Sequence, residues 1–111
     1  AAASGAGLGW LEGFTDAQMG EIISTTLLTS GGIFCDGAKA SCATKIAVSL
    51  DNALMALEMA RRGRTLPEGQ GLAGADPDQT IRRVARVARE GMTDTDDLIL
   101  QCMLESPSDT P

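Results

Sequence analysis

Apolar residues recur three and four apart in four stretches of the chain, and most of those stretches open on a recognisable start signal. Thr15-Asp16-Ala17-Gln18 has the order of a capping box, with a hydroxyl at the N-cap and an amide three residues on. It predicts a helix to about Thr29 whose buried stripe is Met19, Ile22, Ile23 and Leu27. Ser30-Gly31-Gly32 stops it, since glycine reaches backbone angles other residues avoid. A longer helix is predicted from about Ala38 to Arg62, with Ile46, Leu50, Ala53, Leu54 and Leu57 at helical spacing and Val48 and Met55 widening the face. So broad an apolar face predicts a central helix touched by several neighbours. Arg61 and Arg62 suit its carboxyl end, and Gly63 can close it.

Residues 63–76, broken by Gly63, Pro67, Gly69, Gly71 and Gly74, read as a surface loop. Asp76-Pro77-Asp78-Gln79 then sets an N-cap, a first-turn proline and a capping-box glutamine in order. The helix they open carries Ile81, Val84, Ala85 and Ala88 on one face, with Arg82, Arg83, Arg86 and Arg89 mainly on the other, and Gly91 ends it. Thr93 is the expected cap of a last helix, with Asp94, Asp96 and Asp97 in its first turn and Leu98, Ile99, Cys102 and Met103 turned inward. The tail, residues 106–111, has nothing to bury and is expected to be disordered. The fold class is therefore all-α: a small bundle of about four helices spanning residues 1–105.

Composition narrows the chemistry. The chain has 111 residues, enough for one small domain or a piece of one. A net charge of −6 argues against a nucleic-acid partner, which would need clustered cations. With no histidine there is no Ser-His-Asp or Cys-His pairing and no Cys-His zinc pattern. No apolar run approaches the ~20 residues of a membrane span, so no membrane partner is expected. Three cysteines make no secreted disulfide framework and fit a reducing, cytoplasmic setting. Ala1 to Gly9 shows neither an initiator Met nor the positive start of a signal peptide, and is read as a cut in a longer protein.

The densest chemistry is Cys35-Asp36-Gly37-Ala38-Lys39-Ala40-Ser41-Cys42, which gathers two thiols, a carboxylate, an ammonium and a hydroxyl where a helix begins. Unpartnered amides and the helix dipole favour negative charge there, and a thiolate beside a lysine becomes a ligand for soft metals and iron–sulfur clusters. On this reading Cys35 gains most. Spacing alone leaves plain packing of both cysteines open, since cysteine is often buried as a small hydrophobe. A thiol switch through Cys35 and Cys42 also stays open. Cys102 is read as core, the arginine group as a solvated face, and the acids at 94–97 as partners of the dipole. Lys39 is a general base, a substrate clamp or an exposed lysine.

The stretch from Gly32 to Cys42, followed by Ala43-Thr44-Lys45-Ile46-Ala47, resembles the Cys-Asp-Gly-Ala-Lys-x-x-Cys segment of the L-cysteine desulfidase family, relatives of the α chain of iron–sulfur L-serine dehydratases. Gly91-Met92-Thr93-Asp94-Thr95-Asp96, with Leu98, Ile99 and Met103, is similar to that family's C-terminal end. The resemblance implies an all-helical catalytic domain with a [4Fe–4S] cluster held by three cysteines, one iron being open to a small amino-acid substrate. It implies β-elimination of L-cysteine or L-serine to pyruvate and ammonia, with sulfide released from cysteine. Carried over by position, Cys35 and Cys42 would be cofactor-binding, Cys35 as an iron ligand and Cys42 either ligating iron or lining the site, while Asp36, Lys39 and Ser41 would shape the pocket or clamp a carboxylate.

The resemblance also makes this chain the C-terminal portion of a protein several times longer. The remaining ligands and much of the pocket would then come from the missing N-terminal portion, leaving the chain inactive by itself. The alternative is a non-catalytic helical module or a subunit completing a separate N-terminal half, associating through exposed apolar surface.

Overall fold

The computed structural model describes residues 1–35 and 39–105, and among them there are five helices and no strand. They are α1 (Ala2–Leu11), α2 (Asp16–Ser30), α3 (Ser41–Arg61), α4 (Pro77–Gly91) and α5 (Thr95–Glu105). The all-α expectation holds, with one helix more than the pattern suggested. Asp36, Gly37 and Ala38, and the tail 106–111, lie outside the described residues.

α1 is the addition. Its inner face is glycine: Gly5 and Gly9 are buried, one turn apart. A β-carbon on Gly5 would fall 2.8 Å from Ile22 Cγ2 and 3.3 Å from Ala53 Cβ, and one on Gly9 would fall 3.0 Å from Ile22 Cδ1. The helix therefore lies almost backbone-on-side-chain against α2 and α3. Gly13 (φ +79°) ends it, with the Phe14 amide donating to the Gly9 carbonyl at 2.9 Å.

α2 starts as its capping box requires: the Gln18 amide donates to the Thr15 hydroxyl, and the Thr15 amide donates to Gln18 Oε1 at 3.0 Å. Ile22 is completely buried, with Met19, Ile23 and Leu27 partly so. The glycine stop needs no special backbone, for Gly31 caps at φ −65°. Thr25 and Thr26 are also buried, and the Thr26 hydroxyl donates to the Ile22 carbonyl at 2.7 Å within its own helix.

α3 corrects two expectations. It begins at Ser41 rather than Ala38, and only one arc of it is covered. Ala53, Ala56, Leu57 and Ala60 are buried against α1 and α2, whereas Ile46, Val48, Leu50, Leu54 and Met55 are exposed. The reason is supply of neighbours: α4 packs on α2, and among the described residues α5 packs on no other helix. The carboxyl end closes as expected, with Gly63 at φ +62°, its amide donating to Ala60 and the Arg64 amide donating to Met59 at 2.8 Å.

α4 opens on Asp76, whose Oδ1 accepts from the Gln79 amide at 2.6 Å; Gln79 Oε1 reaches past the cap to the Ala75 amide at 2.8 Å. The buried face differs from the predicted one. Thr80 is completely buried, accepting from the Gly74 amide and donating to the Asp76 carbonyl, while Ile81, Ala85 and Ala88 are exposed. Gly20 admits Pro77 so closely that a β-carbon there would sit 2.8 Å from Pro77 Cγ, and this close approach turns α4 to its Thr80 side. Arg83, expected in solvent, is half-buried and donates to the Ala73 carbonyl.

Thr93 does not cap α5. Its hydroxyl points back to the last turn of α4, donating to the Arg89 and Glu90 carbonyls, and Asp94 supplies the first helical acceptor for the Leu98 amide. Leu98, Cys102 and Met103, expected inward, are exposed, and Ile99 is half-buried.

Candidate functional site

The loop that leaves α2 carries Phe34 and Cys35, and the start of α3 carries Lys39, Ser41 and Cys42. Cys35 is exposed and Cys42 half-buried, so neither thiol is sealed in an aliphatic core. None of the three cysteines forms a disulfide. Lys39 and Ser41 are exposed; Asp36, the remaining candidate, falls outside the described residues.

The helix start is tighter than the sequence implied. Ala40 occupies the N-cap with helical angles and gives no side-chain cap. The Cys42 amide donates to the Lys39 carbonyl at 3.0 Å and the Ala43 amide to the Ala40 carbonyl at 3.2 Å, a 3₁₀-type turn that uses donors an anion would otherwise find open. The dipole's effect is confined to the first turn, where Ser41 and Cys42 sit. Cys35 stands six residues before Ser41, outside that first turn.

The ammonium fixed beside Cys35 is that of Lys45. Its Nζ donates to the carbonyl of Phe34, the residue just before Cys35, at 2.8 Å. Lys45 lies in the stretch that resembles the family, but no motif in the sequence gives it a role. The signal was its place one turn into α3, from which a long side chain reaches back over the preceding loop.

A groove of about 520 Å³ opens between this loop and α5, with Phe34, Lys39 and Lys45 on one side and Leu98, Ile99 and Cys102 on the other. Cys102 is thus exposed on a groove wall instead of packed in a core, because α5 has no helix behind which to bury it. The groove offers ammonium groups beside an apolar wall, a setting for a small anion with an apolar body. Among the described residues, no three of the Cys, Asp and Glu side chains converge as metal ligands.

At the far end of α3, Arg61 bridges Glu12, the C-cap of α1, and Glu58, lying 6.0 Å over the Phe14 ring centroid. Glu58 also accepts from Arg62 Nε at 2.6 Å. Those partners, Arg62 first and Arg61 second, hold the Glu58 carboxyl below its ordinary value; Glu12 and Glu58 hold Arg61 above its own. This network joins α1 to α3, away from the loop cysteines. No helix of the described residues is long and apolar enough to cross a membrane.

Comparison with known proteins places these features in a family. Residues 1–101 match the family model described as serine dehydratase alpha chain. A UPF0597 protein of Lachnoclostridium phytofermentans is 40% identical over 104 residues, which are 94% of this chain and 25% of that protein. One from Treponema denticola is 42% identical over 104 residues, covering 94% of this chain and 24% of the relative. One from Geobacter sulfurreducens is 38% identical over 89 residues, 80% and 21% respectively. The chain thus spans about a quarter of the length of the curated relatives it matches. No solved structure matches. With its five helices and its thiol-bearing loop falling almost entirely within the matched residues, the chain belongs to the serine dehydratase alpha chain family.

Proposed function

We propose that this chain is part of a cytoplasmic iron–sulfur-dependent lyase that eliminates the β-substituent of L-serine or L-cysteine. The reaction removes the Cα proton and expels hydroxide or sulfide from Cβ; the resulting enamine takes up water, giving pyruvate and ammonia. The observation that carries the reading is the family match across residues 1–101 together with an open Cys35 on a loop held by Lys45.

A [4Fe–4S] cluster takes its ligands from cysteine thiolates gathered in one place. Cys35 and Cys42 flank one loop, but the described residues bring no third ligand to them, and Cys102 lies on the separate helix α5. The residues here do not fit a complete holder, so no step is assigned through the cluster; in this reading Cys35 and Cys42 are two of its ligands and the third comes from polypeptide beyond this chain. In this reading Lys39, on the groove wall, pairs with a substrate carboxylate; Ser41, in the first turn of α3, and Asp36, outside the described residues, are the other candidates for that pocket.

The test is the full reading frame containing this chain, purified without oxygen. Iron and acid-labile sulfide are expected, with pyruvate formed from L-serine or L-cysteine, and Cys35→Ala should remove all three. A fully loaded, active Cys35→Ala enzyme overturns the assignment. The 111-residue chain alone should give no pyruvate. A second reading, a non-catalytic helical module, draws on the shortage of ligands among the described residues; absence of iron and of pyruvate from the longer protein would favour it.

A further inference from the structure

Beyond Cys35 and its loop, the largest unexplained feature is α3 itself. Ile46, Leu50 and Leu54 follow one another at one-turn intervals and are 71%, 42% and 44% exposed. Ala43 and Ala47 lie exposed on the same arc, beside the buried arc of Ala53, Ala56, Leu57 and Ala60. A helix in water does not ordinarily present so wide an apolar surface.

We infer that the Ile46–Leu50–Leu54 arc of α3 is the seat on which the additional polypeptide of serine dehydratase alpha chains packs, supplied in this protein by the chain beyond this segment. The inference rests on the family reading above. The occupant is chosen by length: the segment shared with the relatives makes up 94% of this chain but only about a quarter of theirs, so in those proteins the same helices live beside three times as much further chain. The arc carries no charged residue, so the surface that covers it is apolar; a second copy of this chain is the competing occupant, and the sedimentation measurement below separates the two.

Hydroxyl-radical footprinting of the 111-residue chain and of the full reading frame tests this. Ile46, Leu50 and Leu54 should oxidise several-fold more slowly in the longer protein. Equal rates in both overturn the inference. Sedimentation of the short chain is the second measurement: a tight dimer in which the same three residues become protected, and which Leu50→Ser dissolves, also overturns it in favour of self-association. A monomer or a weak, unprotected association supports it. Footprinting is independent of turnover, so a longer protein that protects the arc yet makes no pyruvate would refute the lyase and leave the docking face standing.

Discussion

Lys45 Nζ lies 2.8 Å from the carbonyl oxygen of Phe34, tying the second turn of α3 to the backbone that presents Cys35. The bond spans eleven residues and closes the loop between α2 and α3 from the side opposite the groove's α5 wall. A charged donor holding a carbonyl is a stronger tie than a neutral pair, although exposure to water reduces it.

Lys45→Met keeps most of the side chain's length and removes its charge. The loop should loosen, so that the backbone amides of residues 31–35 exchange faster with deuterium, while stability falls by about 1 kcal/mol or less. Unchanged exchange there would mean that the tie does not govern the loop.

Glycines of α1 should respond oppositely to the same substitution. Gly5→Ala drives a β-carbon to 2.8 Å from Ile22, which is fully buried and has nowhere to move, and such overpacking costs about 1–3 kcal/mol. Gly7→Ala meets nothing within 4 Å and should gain up to about 1 kcal/mol from helix propensity. Urea titrations of both variants read the contrast directly, and equal shifts of one sign would show that α1 is not seated as described.

Acid should weaken the ion-pair cluster at the carboxyl end of α3. Glu58 has its folded value lowered by Arg62 and Arg61, so its contribution is present above the unfolded carboxylate value and disappears as the pH falls through the folded one. Glu58→Gln should therefore lower the melting temperature at pH 6 and have a shrinking effect as the pH drops below about 4. High salt should shrink the effect as well, since the pair is exposed. A constant difference across that window would assign the loss to packing.

Capping chemistry was the most legible layer of the sequence. Thr15 with Gln18, and Asp76 with Pro77 and Gln79, act through groups within four residues of one another, and local order is what a sequence states directly. Burial was less legible because it depends on what arrives from elsewhere. The apolar residues of α3 predicted several neighbours, and among the described residues only the helices α1 and α2 come. α1 escaped notice since its inner face is the absence of side chains at Gly5 and Gly9, which leaves no apolar period to detect and reads as weak propensity.

The candidate site divided in the same way. Cys35 and Cys42 stood out by residue type, and the structure leaves Cys35 exposed and Cys42 half-buried. Lys45 did not, because its partner is a backbone carbonyl, and every residue has one of those. Cys102 was misplaced by a helical period that presumed a core on the far side of α5.

One consequence follows from the Thr26 hydroxyl, which spends its proton on the carbonyl of Ile22 in its own helix. A fully hidden polar group satisfied that way asks nothing of α1 or α3. Translation or rotation of α2 in its berth would break no bond at that position, so the berth's contour, cut by two missing β-carbons in α1, is what selects the angle at which α2 runs out into the segment that carries Cys35.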